Sequence, residues 1–127
     1  MNNKSSLEII NWKEIFFNYG NNLELLQDIF YELQIEVKME TKELNKYICF
    51  KDYEKIYKIS HKIKGTLSVL YCEESSDIMN KICIISNKAI NEPSKEKMFQ
   101  IKSLLDEFYK SLEKLNYIIE NFDKSKK

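Results

Sequence analysis

The single histidine of the chain, His61, precedes Lys64 by three residues, Gly65 by four and Ser68 by seven. On an α-helix those offsets bring the four residues to one surface, one and two turns along from the ring. A neutral imidazole is a nucleophile near pH 7, because its unperturbed pKa is about 6.5, and a phosphoryl group is a suitable electrophile for it. Phosphoryl transfer has a loose transition state with charge spread over the equatorial oxygens. A site for it therefore has to supply positioning and positive charge rather than covalent help. Lys64 is placed to supply that charge, Gly65 to clear an approach, and Ser68 to hydrogen-bond an oxygen. Lys58 and Lys62, further round the same helix, add a diffuse positive field screened within about 8 Å at physiological salt.

The helix that must position these residues is amphipathic. At about 100° per residue, Ile56, Ile59, Ile63, Thr66, Leu67 and Leu70 fall within an arc of roughly 120°, with the small Ser60 at its edge. His61 lies almost opposite. A packing histidine belongs inside the apolar arc, so this one is expected to face water from a helix anchored behind it. Glycine inside a helix costs about 1 kcal/mol relative to alanine, which implies that the space at Gly65 is needed. Tyr57, one turn before His61, either shields or hydrogen-bonds the ring or packs at a core boundary.

His61-x-x-Lys64-Gly65-Thr66, preceded by the small Ser60 and followed by Leu70, resembles the signature of histidine-containing phosphotransfer (HPt) domains. Phe16 to Leu33, with Gly20-Asn21-Asn22 followed by Leu25-Leu26 and Ile29-Phe30, is similar to that family's first helix, turn and second helix. The resemblance implies a phosphorelay intermediate that carries a phosphoryl group on His61 between aspartates of response-regulator receiver domains. It also implies a hybrid or separate sensor kinase upstream and Mg²⁺ brought by the receiver, with no cofactor of the chain's own. One position departs from the pattern. Tyr71 stands ten residues past the histidine, where the family usually has glycine.

The rest of the chain must build a scaffold for that helix. Its 127 residues suggest one domain, and two glycines and one proline leave few interior breakers, so an all-α fold is expected. Ser6 is expected to cap a short first helix through Leu7-Glu8-Ile9-Ile10 and on to Trp12, Ile15, Phe16 and Phe17, ended by Gly20-Asn21-Asn22. A second helix is predicted from Leu23 to Ile48, with the stripe Leu26, Ile29, Phe30, Leu33, Val37, Leu44 and Ile48. Phe50-Lys51 breaks it, and Asp52 caps the histidine helix, which runs to about Leu70. Glu73-Glu74-Ser75-Ser76 reads as the next turn, ahead of a fourth helix from Ser76 to Ile90 with Ile78, Met79, Ile82, Ile85 and Ala89 facing inwards. Asn91 to Pro93 ends that helix. Ser94 caps a fifth, carrying Met98, Ile101, Leu104, Leu105, Phe108, Leu112, Leu115 and Ile119, and residues 123–127 read as a frayed tail. Four long helices with short connections predict an antiparallel four-helix bundle with a short extra N-terminal helix.

Surface features of the second helix bear on partners. Glu32, Glu36 and Glu40 form a row of like charges at i, i+4, which is either a solvated face or a strip lying against lysines of the histidine helix. Ile35 and Met39 lie off the core stripe. Either the first helix covers them, or they form a small exposed apolar patch for a receiver to dock on.

Composition excludes several other classes. Twenty acids balance twenty bases, so no net field points to nucleic acid or an anionic membrane. No apolar run approaches membrane length and no secretory leader is visible, which predicts a cytoplasmic protein. Cys49, Cys72 and Cys83 are odd in number and widely spaced, as expected of reduced thiols. With His61 they have zinc-ligand chemistry but none of the close pairing of zinc sites. No glycine-rich phosphate loop is present, so the chain is not expected to phosphorylate itself from ATP. The chain is expected to be a monomer. The alternative function, from another class, is an HPt-like binding module that sequesters a receiver or other partner without being phosphorylated.

Overall fold

The computed structural model describes residues 7–125, with side chains described as far as Phe122. Among them are five helices and no strand: α1 (Trp12–Tyr19), α2 (Leu23–Cys49), α3 (Tyr53–Ser68), α4 (Glu73–Asn91) and α5 (Lys95–Ser125). The histidine helix α3 packs against α2 on one flank and α4 on the other, while α5 packs against α4 and meets α2. One core cluster runs from Ile10 to Ile119 and takes in the stripes of all five helices. Of the expected inward residues, Ile29, Ile85, Leu104 and Leu112 are partly rather than fully buried. Among the described residues, no helix is long and apolar enough to cross a membrane.

Local chemistry explains where the helices begin. Asn22, Asp52 and Ser94 each accept a hydrogen bond from the backbone N–H three residues on, at Leu25, Lys55 and Lys97. The helices α2 and α3 end alike. After α2, the N–H of Lys51 reaches the carbonyl of Ile48 and that of Asp52 reaches Tyr47; after α3, Tyr71 reaches Ser68 and Cys72 reaches Leu67. This is the Schellman pattern, which puts the residue past the helix in the left-handed region. Accordingly Lys51 has φ 55° and Tyr71 φ 54°. Glycine enters that region without penalty, whereas Lys51 and Tyr71 hold it at a steric cost.

Three boundaries differ from expectation. Ser6 lies outside the described residues, and residues 7–11 are not helical. Instead they are stitched to the start of α4: Glu74 N–H donates to the Glu8 carbonyl at 3.0 Å, Asn11 N–H to Tyr71 at 2.9 Å, and Asn11 Nδ2 to a Glu73 carboxylate oxygen at 2.8 Å. These bonds replace a helix with a bent, non-helical strap that buries Ile10, and Asn11, not Ser6, caps α1 by accepting from Glu14 N–H. Glu73-Glu74-Ser75-Ser76 is the first turn of α4 rather than a turn before it. Acidic residues suit the positive end of a helix dipole, and the Schellman turn leads straight into them. Lys124 and Ser125 continue α5, whereas Lys126 and Lys127 lie outside the described residues.

Candidate functional site

On α3, Ile56, Ile59, Ser60, Ile63 and Leu67 are buried, and Leu70 just beyond it is buried too. Each fully buried isoleucine or leucine contributes about 1.5–3 kcal/mol, so the rotation of α3 about its axis is firmly set. That rotation leaves His61 and Gly65 exposed on the outer side, while Lys64 is half-buried. An atom added as the Cβ of Gly65 would meet nothing within 4 Å. Neither packing nor a left-handed backbone calls for glycine there, so the opening beside His61 serves no internal contact.

The residues around the ring divide between two flanks. Towards α4 lie Tyr57, Lys64 and Ser68. The Tyr57 and His61 rings stand 6.2 Å apart at 52°, a tilted contact rather than a stack. Burial pushes the Cys83 thiol of α4 up, against the opposing effects of a hydrogen bond with Ser60 and the charge of Lys64. The Ser68 hydroxyl donates to the Lys64 carbonyl at 2.9 Å and meets Ser76 Oγ at 2.9 Å, so its proton is held within the α3–α4 seam. Lys64, Ser68, Ser76 and Asn80 line part of a shallow depression of about 390 Å³ beside this face.

Towards α2 the arrangement departs from a simple field of lysines. Glu40 is only 5% exposed and sits between the helices. Thr66 Oγ1 stands 3.2 and 3.4 Å from its two carboxylate oxygens and 3.1 Å from the Lys62 carbonyl, so one hydroxyl proton is shared among them, and Lys62 Nζ stands 3.9 Å from the carboxylate. Lys62 thus leans to the seam at the limit of an ion pair while its side chain stays 65% exposed. Burial, followed by hydrogen bonding and repulsion from Glu36, pushes the Glu40 carboxyl up to about 7, against the opposing effects of Thr66 and Lys62. The acidic row is thus split: Glu32 and Glu36 are exposed, whereas Glu40 lies against α3. A signal for this was present in the sequence, since Glu40 falls three residues after Val37 and four before Leu44, inside the apolar stripe of α2.

Ile35 and Met39 are 46% and 64% exposed, so α1 does not cover them. Cys49 is exposed while Cys72 and Cys83 are buried, and all three are free thiols. No group of three or more histidine, cysteine or acidic side chains suited to a metal ion occurs among the described residues. A depression of about 940 Å³ lies away from His61, between Phe50 to Glu54 and the start of α5. Comparison with family models, curated proteins and solved structures yields no match to this chain.

Proposed function

We propose that this chain is a histidine phosphotransfer protein of a multistep phosphorelay. In this reading α2 to α5 form an antiparallel four-helix bundle, with α1 as the short extra helix. The direction of packing is supported by Gln34 meeting Asn116 while Asn45 meets Tyr109. The observation that carries the function is the single exposed imidazole beside an unfilled glycine gap, on a helix whose reverse is locked in the core.

The imidazole attacks the phosphorus of a receiver's aspartyl phosphate in line. An N–P bond forms as the P–O bond to the aspartate breaks, the carboxylate leaves, and the ring's remaining N–H proton passes to water. Lys64 offsets charge on the phosphoryl oxygens, and Gly65 admits the incoming acyl phosphate. Ser68 supplies an oxygen contact only if its hydroxyl leaves Lys64 and Ser76. Mg²⁺ comes with the receiver's acidic pocket. The exposed Ile35 and Met39 offer apolar area for that domain, with Tyr57 bordering the ring.

The test is incubation with a receiver phosphorylated with ³²P. Acid-labile, alkali-stable label is expected on the chain and is expected to vanish in His61→Gln. Label that persists in that variant refutes His61 as acceptor. Receiver capture without label, insensitive to the substitution, marks a sequestering module instead.

A further inference from the structure

The Glu40 cluster is not needed by the transfer step, yet it links α2 to the two α3 residues that flank the His61–Gly65 face. We propose that Glu40 is a proton-sensitive positioning residue: ionised, it anchors Lys62 and Thr66 at the α2–α3 seam; protonated, it turns to Glu36 and frees Lys62 for the outer face. The consequence for phosphoryl chemistry rests on the reading of His61 given above. The latch itself does not.

The groups that face Glu40 are few. From α3 come Lys62 at 3.9 Å and the hydroxyl of Thr66 at 3.2 Å, and from its own helix comes Glu36. On the opposite flank of α2, the side-chain contacts with α5 are neutral, Asn45 with Tyr109 and Gln34 with Asn116. A carboxylate this deeply placed has lost most of its water, and one ammonium at 3.9 Å replaces only part of it. Two neighbouring carboxyls relieve their repulsion by holding one proton between them. When that proton departs to solvent, the seam carries an extra negative charge and draws on Lys62. When it returns, the Lys62 ammonium has no charged partner there. Lys62 follows His61 directly in the chain, so its release strengthens the positive potential where a phosphoryl group would sit.

Two measurements on the full chain decide the matter. Side-chain carboxyl ¹³C shifts, followed from pH 4.5 to 8.5, are expected to give Glu40 a midpoint near neutrality, with the Lys62 and Thr66 amides titrating in step. The measurement is repeated in His61→Gln to remove the imidazole's own transition. In the exposed-site variant Glu36→Gln the midpoint should fall towards the ordinary carboxylate range. A wild-type Glu40 midpoint between 4 and 5, or amides that do not follow it, overturns the latch whether or not His61 accepts phosphate. Phosphotransfer is then compared at pH 6 and 8. Glu40→Gln is expected to accept label at least threefold faster than wild type at pH 8 and equally fast at pH 6, and the difference should disappear in a Lys62→Gln background. An equal ratio at both pH values, or a ratio that survives Lys62→Gln, overturns the positioning role. Absence of label on wild-type protein instead counts against the phosphotransfer reading and leaves the carboxyl titration to judge the latch.

Discussion

Gly65→Ala should make the protein more stable and, on the present reading, a poorer phosphoryl acceptor. Gly65 lies within α3, and a Cβ built on it meets no atom within 4 Å, so a methyl group introduces no clash. Alanine then recovers the helix propensity and unfolded-state entropy that glycine forfeits, about 0.5–1 kcal/mol. With an unfolding entropy of about 2.1 cal/mol/K per residue, a chain of 127 residues melts about 2–4 °C higher for that gain. Gly65→Leu also avoids clash at its Cβ, but it sets a branched side chain one turn from His61 on the same exposed side. It should lower the rate of label acceptance by tenfold or more, equivalent to about 1.4 kcal/mol of barrier. Thermal melts followed by circular dichroism, paired with transfer from a phosphorylated receiver, test both halves. A lower melting temperature for Gly65→Ala would mean that the glycine has a structural role after all. Wild-type transfer by Gly65→Leu would mean that the donor does not approach over this gap.

The remaining predictions concern the scaffold. Glu40 has a folded-state pKa raised from 4.5 to about 7. Its contribution to stability is therefore full below pH 4.5 and is lost as pH rises through 7, at most about 3 kcal/mol in all. Glu40→Gln should flatten that fall, so urea midpoints of the two proteins should converge at acid pH and diverge in favour of the variant near pH 8; parallel curves would refute the assignment. Lys51→Gly should relieve a left-handed, exposed residue and raise stability by about 1 kcal/mol, read from the same urea midpoints. Tyr71→Gly relieves the same strain but should be about 1 kcal/mol less stable than wild type. The tyrosine packs against the core and its hydroxyl accepts from Asn18 Nδ2 at 3.0 Å, so packing and a hydrogen bond are lost. A gain in stability for Tyr71→Gly would show that strain outweighs those contacts.

The contrast between those two left-handed residues also separates what could be read in the sequence from what could not. Periodicity fixes which side of a helix is buried, and so the exposure of His61 and the burial of Ile56, Ile63 and Leu67 were legible from spacing alone. Caps with a side-chain oxygen, Asn22, Asp52 and Ser94, were legible for the same local reason. The start of α1 was not, because bonds from residues 8 and 11 to residues some sixty positions away decide it, and no local pattern encodes them. Tyr71 stood out as a departure from the family pattern, but its left-handed backbone follows from a turn whose bonds are made whatever the side chain is. Glu40 is the sharper case. Its charge assigns it to the solvated row with Glu32 and Glu36, while its spacing from Val37 and Leu44 assigns it to the core. The structure resolves the conflict in favour of spacing, because Thr66 and Lys62 of a second helix supply the partners that a buried carboxyl requires. Where a charged residue violates an apolar stripe in this way, the partner must come from the neighbouring element. Here that element is the one that carries His61.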